Sequence, residues 1–65
     1  MLNHQLATFI QVAENGSFSK AAEKLYITPS AVIQQINNLE QELQVTLFKR
    51  TRHGTQLTPA GDYLF

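Results

Sequence analysis

The feature that most constrains this chain is a pair of helical patterns separated by a very short connection. The first pattern places apolar residues at positions i, i+3, i+4 and i+7 of one helix face, namely Phe18, Ala21, Ala22 and Leu25. A second helix is predicted to begin at Pro29, which suits the first helical position, with Thr28 capping its free N–H groups. Because the two alanines let another backbone approach closely, the pattern predicts two helices crossing at a tight turn, a helix-turn-helix.

The second of these helices, predicted over residues 29–43, has an apolar side and a polar side. The apolar side, which we expect to face the core, consists of Val32, Ile36, Leu39 and Leu43. The opposite side consists of Ser30, Gln34, Asn37 and Gln41, with Ile33 at its border. Amide side chains can donate to and accept from base edges, typically those of adenine, and an aliphatic group can contact the thymine methyl. Such a face can read DNA, but amide-rich faces are also common on helices that contact only water.

An earlier helix is predicted over residues 3–14, with a left-handed stop at Asn15 and Gly16. The apolar residues that repeat along one face of this helix are Leu6, Phe9, Ile10 and Ala13. Ser17 or Ser19 can cap the helix that follows. Ser19 and Lys20 fall in its first turn, where free N–H groups favour an anion, so both are candidates for contacting a DNA phosphate. An ordinary exposed lysine is the alternative interpretation.

A β-hairpin is predicted after the third helix, with strands over residues 47–50 and 56–57, because Gly54 permits a tight reversal. A hairpin appended to a helix-turn-helix is a wing. Arg52 and His53 at its tip can reach a minor groove, although a solvated charged turn would have the same composition. Arg50 has two open interpretations of equal weight, a DNA contact or a salt bridge to a carboxylate such as that of Glu40.

A further helix is predicted from Pro59, because Thr58 and Pro59 repeat the cap-then-proline pattern. No stop signal occurs before Phe65, so we expect this helix to continue in a longer native protein. The expected fold class is mainly α with a small β-hairpin. We expect residues 1–58 to form a winged helix-turn-helix with a three-helix core, and residues 59–65 to begin a truncated linker helix.

Composition supports one small globular domain, with 43% hydrophobic and 15% charged residues. Five basic residues balance five acidic ones, so the overall charge gives no indication of a nucleic-acid partner. The distribution is less even, because Lys49, Arg50 and Arg52 lie together beside His53. A phosphate responds to charges within a Debye length of roughly 8 to 10 Å, so this local cluster matters more than the sum.

The side chains that could support catalysis do not converge. His4 and His53 are far apart in the predicted fold, and Glu40 and Glu42 point about 200° apart around one helix, so we expect no enzyme, no cofactor and no metal. The chain has no cysteine and therefore no disulfide. It also has no secretory pattern and no apolar run that could span a bilayer, which favours a cytoplasmic protein with no membrane partner.

One continuous pattern without gaps covers essentially all 65 residues. It consists of Phe9, Val12, Ala13, Glu14, Gly16, Ser17, Phe18, Ala21, Ala22, Leu25, Thr28, Pro29, Ser30, Ala31, Val32, Gln35, Ile36, Leu39, Glu40, Leu43, Leu47, Phe48, Arg50, Leu57, Thr58, Ala60 and Gly61. This pattern closely resembles the N-terminal winged helix-turn-helix domain of LysR-type transcriptional regulators.

The resemblance implies a sequence-specific domain that binds double-stranded DNA. It also implies a linker helix that pairs subunits in a homodimer or tetramer, and a C-terminal domain that binds a small-molecule inducer. By matching position, the residues nearest the major groove are Thr28, Pro29, Ser30, Ile33 and Gln34, and Arg52 and His53 belong to the wing.

Two positions depart from the family pattern, because many members carry Ser where this chain has Ile33 and Arg where it has Gln34. We therefore expect weaker attraction to phosphates and a preference for A·T pairs. The alternative from another functional class is a winged-helix module that binds a protein and not DNA, which the neutral net charge favours.

Overall fold

The structure, a computed structural model, describes the backbone of residues 2–51 and 54–65 and the side chains of residues 4–51 and 54–65. Over these residues the chain forms helices α1 (Leu2–Asn15), α2 (Phe18–Leu25) and α3 (Pro29–Leu43), strands β1 (Phe48–Thr51) and β2 (Gly54–Leu57), and helix α4 (Pro59–Leu64). The first three helices pack against one another, and the two strands pair as an antiparallel hairpin. The predicted fold class, mainly helical with a small hairpin after a helix-turn-helix, is confirmed.

Side-chain caps fix where α2 and α3 begin. The hydroxyl of Ser17 accepts the backbone N–H of Lys20 at 3.2 Å, and the hydroxyl of Thr28 accepts that of Ala31 at 3.1 Å. Both capping residues have extended backbones, as a residue that precedes a helix requires. Of the two serines that the sequence offered, Ser17 caps α2, whereas Ser19 lies inside the first turn.

Left-handed residues end the same helices and create the short connections. Gly16 (φ 67°) follows α1, as predicted, and its N–H donates to the carbonyl of Val12 at 2.8 Å. Two residues with side chains, Tyr26 (φ 59°) and Gln44 (φ 57°), take the same conformation after α2 and α3. The reversal at Tyr26 lets the N–H of the next residue return to α2, which produces the tight turn of the helix-turn-helix.

The core lies where α1, α2, α3 and the start of β1 meet. Its buried apolar residues are Phe9, Val12, Ala21, Ala22, Val32, Ile36, Leu39, Leu47 and Phe48. Two residues that we expected on buried helix faces are instead substantially exposed, Ile10 at 43% and Leu43 at 41%. Each lies at the edge of the apolar face of its helix, where neighbouring elements do not cover it. In α3 the last buried residue is Leu39, so the apolar face extends beyond the part that the core covers.

The hairpin pairs Phe48 with Leu57 and Thr51 with Gly54, so each strand has four residues. Compared with the predicted ranges, the pairing begins one residue later in β1 and continues toward the turn in both strands. The N–H of Thr55 donates to the carbonyl of Gly16 at 3.2 Å, which attaches β2 to the turn between α1 and α2. The wing is therefore fixed to the helical body close to the start of α2.

The fourth helix begins as predicted, with the Thr58 hydroxyl accepting the N–H of Gly61 at 3.0 Å. Gly61 is buried, and a Cβ placed on it would overlap the backbone oxygen of Leu47. The absence of a side chain at this position lets α4 approach the segment before β1. After the helix, the ring of Phe65 lies edge-on to Phe9 with centroids 6.2 Å apart.

Candidate nucleic-acid interface

The outward side of α3 is an exposed face of uncharged polar side chains. Ser30, Gln34 and Asn37 are exposed, and Ile33 is half-buried at the border, as the helical spacing predicted. The opposite side of the helix holds Val32, Ile36 and Leu39, which are buried to 2% exposure or less. Because those three side chains anchor the helix in the core, the amides are displayed from a rigid element and not from a loop. We call Ser30, Ile33, Gln34 and Asn37 the reading face.

A neighbouring amide is directed elsewhere. The hydroxyl of Thr8, which is 3% exposed on α1, donates a hydrogen bond to Oε1 of Gln35 on α3. Gln35 therefore helps to join the two helices and does not belong to the reading face. Gln34 is exposed, whereas Gln35 is half-buried, so the two adjacent amides have different surroundings.

The first turn of α3 presents Thr28 and Pro29 beside the reading face. Both residues are exposed, and the Thr28 hydroxyl is already engaged in the cap at Ala31. The N–H of Ser30, at the second helical position, has no acceptor within the helix by virtue of that position. The beginning of α3 therefore offers a backbone donor at the positive end of the helix dipole.

The first turn of α2 forms a second candidate anion site. Ser19 and Lys20 are both exposed there. Ser17 satisfies the N–H of Lys20, whereas the N–H groups of Phe18 and Ser19 precede the first possible intrahelical acceptor. Free N–H groups at a helix start favour a phosphate oxygen, and Lys20 adds a positive charge to the same turn.

Arg50 and Glu40 do not form the ion pair that was one of the two open interpretations. Oε2 of Glu40 instead accepts the backbone N–H groups of Leu47 at 2.7 Å and Phe48 at 3.2 Å. The guanidinium carbon of Arg50 lies 5.0 Å from the centroid of the Phe18 ring, while the side chain as a whole is exposed. Sequence reasoning missed this role of Phe18, which a helical wheel assigns only to the apolar stripe.

The predicted wing residues Arg52 and His53 lie outside the described residues. The strands that flank them are described, and the Thr51 hydroxyl donates to the carbonyl of Gly54 at 2.9 Å. In the described part of the chain, no group of three or more His, Cys, Asp or Glu side chains is arranged to hold a metal ion. Among the helices of that part, none combines the length and the apolar character that crossing a bilayer requires.

The sequence matches the family described as bacterial regulatory helix-turn-helix protein, lysR family, over residues 3–62. Among individual proteins, it is 52% identical over 59 residues to the HTH-type transcriptional activator AllS of Klebsiella pneumoniae, covering 91% of this chain and 22% of AllS. It is 48% identical over 64 residues to the HTH-type transcriptional regulator YofA of Bacillus velezensis, covering 98% of this chain and 22% of YofA. The chain thus spans about a fifth of the length of these two relatives.

Solved structures agree with the sequence relatives. The CbnR_DBD–DNA complex superposes with a TM-score of 0.90 at 38% identity, covering 94% of this chain and 70% of that one. The BenM_DBD/catB site 1 DNA complex gives a TM-score of 0.90 at 39% identity, covering 94% of this chain and 68% of that one. With the family match extending over nearly the whole chain, the protein belongs to the lysR family of bacterial regulatory helix-turn-helix proteins.

Proposed function

We propose that this chain is the sequence-specific DNA-binding domain of a LysR-type transcriptional regulator, with α3 inserted in the major groove. The observation that carries the proposal is the reading face, an exposed row of hydrogen-bonding side chains on a helix whose other side is anchored in the core. An α-helix fits the major groove, where every base pair presents a distinct pattern of donors and acceptors. The DNA complexes of CbnR_DBD and BenM_DBD support the assignment by similarity.

Within this proposal the reading face specifies the sequence. Gln34 and Asn37 each carry a donor and an acceptor that suit the adenine edge, and Ile33 suits the thymine methyl. Ser30 can bond to either type of base edge. None of these side chains is charged, so we expect recognition to favour A·T pairs and to contribute little to attraction by the phosphates.

Other residues position the domain along the backbone of the duplex. We assign Ser19 and Lys20 at the start of α2 and Arg50 on β1 to the sugar–phosphate backbone. We place Thr28 and Pro29 at the start of α3 beside the major groove, and the wing residues Arg52 and His53 near the minor groove. Phosphate contacts fix register and orientation but carry no sequence information directly. With three or four such contacts, log K should fall against log salt concentration with a slope of about −3.

For the longer protein we propose the organisation that the family resemblance implied. Residues 1–58 form the DNA-binding domain, and residues 59–65 begin the linker helix that pairs subunits in a homodimer or tetramer. A small-molecule inducer binds a separate C-terminal domain, and the protein acts on DNA in the cytoplasm without catalysing a reaction. Pairing matters for affinity, because two linked domains on neighbouring half-sites bind far more tightly than one.

A matched pair of asparagines tests the proposed orientation of α3. Asn37 lies on the reading face, and Asn38 is the next residue, also exposed but about 100° further around the helix. A duplex is first selected from a random library with the 65-residue chain, and its affinity is measured by fluorescence anisotropy. Asn37→Ala should weaken binding to the selected duplex by about 1–3 kcal/mol, whereas Asn38→Ala should leave it unchanged.

Two results would overturn the proposal. One is equal loss of affinity in the two variants, because it would place the contact away from the reading face. The other is the absence of salt-dependent, sequence-selective binding to duplex DNA. That result is expected of a winged-helix module that binds a protein and not DNA. Recovery of only G·C-rich half-sites would overturn the assignment of Ile33, Gln34 and Asn37 to A·T pairs.

A further inference from the structure

Arg50 projects from β1 onto an aromatic ring that belongs to a different element. Its guanidinium carbon lies 5.0 Å from the centroid of Phe18, the first residue of α2. This distance is within the range in which a cation is attracted to the face of a ring. The contact therefore links the wing to the turn of α2 that carries Ser19 and Lys20.

The Phe18 ring is held in place by the core. It meets Phe48 nearly perpendicularly, with centroids 6.0 Å apart and an interplanar angle of 75°. Phe48 in turn packs on Phe9 at 5.3 Å, and these two rings are 7% and 1% exposed. Phe18 thus has one part fixed against buried rings and a face available to Arg50, so it is a rigid platform and not a mobile surface side chain.

The contact with the ring leaves the guanidinium N–H groups available for hydrogen bonds. The ring attracts the positive charge of Arg50, whereas a carboxylate partner would accept from some of its five N–H donors. A salt bridge would occupy some of those donors, but Glu40, the acid considered for that role, is bound to the backbone of Leu47 and Phe48. The Thr55 N–H bond to Gly16 further fixes the hairpin next to α2.

We propose that Phe18 is a positioning residue for DNA binding, which orients the Arg50 guanidinium so that it donates to a backbone phosphate beside the first turn of α2. The inference rests on the proposed function and adds a residue to it that does not touch DNA. Arg50, the free N–H groups of α2 and Lys20 then contact the same stretch of backbone. Without the ring, the Arg50 side chain samples many rotamers, and binding must order it.

A double-mutant cycle tests whether Phe18 acts through Arg50. The affinity of the 65-residue chain for a mixed-sequence duplex of about 20 base pairs is measured by fluorescence anisotropy at about 50 mM salt. An exposed cation–π contact corresponds to about a two- to fivefold change in an equilibrium constant, so Phe18→Leu should weaken binding by that factor. In the Arg50→Gln background the same substitution should have no further effect, and Phe18→Tyr, which keeps the ring, should bind normally.

A second measurement needs no DNA, and its first step uses the unsubstituted chain. Ring currents should shift the Arg50 δ protons upfield in the unsubstituted chain, and this shift should disappear in Phe18→Leu.

The outcomes separate the inference from the proposed function. Equal weakening by Phe18→Leu in both Arg50 backgrounds, or an absent ring-current shift in the unsubstituted chain, would overturn the role of Phe18 alone. Failure of the unsubstituted chain to bind any duplex, with the ring-current shift intact, would overturn the proposed function and the role of Phe18 with it.

Discussion

The carboxylate of Glu40 joins α3 to the start of the hairpin, and we expect its removal to weaken the whole fold. Its Oε2 accepts the backbone N–H of Leu47 at 2.7 Å and that of Phe48 at 3.2 Å. Both N–H donors belong to buried residues, since Leu47 is 1% exposed and Phe48 is 7% exposed. Glu40→Ala would leave two N–H groups without an acceptor where water has little access.

The magnitude follows from these two bonds. A hydrogen bond to a charged group contributes about 1.5–3 kcal/mol, and the longer of the two bonds contributes less. We therefore expect Glu40→Ala to lower the free energy of unfolding by about 2–4 kcal/mol. Glu40→Gln keeps an acceptor oxygen but loses the charge, so its effect should be about half as large. A domain of this size has a total stability of about 3–10 kcal/mol, which makes the Gln variant the safer measurement.

Thermal unfolding followed by circular dichroism measures the effect, since about 1 kcal/mol shifts Tm by about 4–8 °C in a domain of this size. Arg50→Gln is the control, because it removes only the contact with Phe18 and should cost about 0.5–1 kcal/mol. The effects of Glu40→Gln and Arg50→Gln should add in the double variant. Equal losses in the single variants, with no further loss in the double, would show that the two side chains form an ion pair and would refute this reasoning.

Three further predictions concern single positions. Gly61→Ala should destabilise the chain by about 1–2 kcal/mol in urea unfolding, because overlap with a backbone oxygen outweighs the better helix propensity of alanine; an unchanged midpoint would mean that α4 is not packed as described. Ser17→Ala should lower the free energy of unfolding by about 1 kcal/mol through loss of the α2 cap, while Ser19→Ala should not. Lys20→Gln should reduce the steepness of the log K against log salt plot by about 1, whereas Lys24→Gln, in the last turn of α2, should leave it unchanged.

Local signals in the sequence were sufficient to predict the helices. Each of Thr28 and Thr58 combines a capping hydroxyl with a following proline, and both mark helix starts in the structure. The apolar periodicity of α3 likewise separated its buried side from its polar side. It could not show that burial stops at Leu39, because the length of a stripe says nothing about how much surface its neighbours can cover.

Contacts between elements could not be predicted in the same way. Arg50 had two plausible partners in the sequence, and the choice depends on how β1 lies across α2 and α3. The structure brings Arg50 to the ring of Phe18 and gives Glu40 to backbone N–H groups. Opposite charge alone did not identify the partner of Arg50, because the backbone N–H groups of Leu47 and Phe48 compete for the Glu40 carboxylate. The roles assigned to the reading face and to the residues near the phosphates stay predictions.

A titration of the 15N-labelled chain with the selected duplex tests the central claim most directly. We expect the largest changes in amide and side-chain shifts at Ser30, Ile33, Gln34 and Asn37, with smaller changes at the first turn of α2. Saturable shifts confined to α1 or to the outer side of α4, with the signals of α3 unmoved, would contradict the claim that α3 reads DNA.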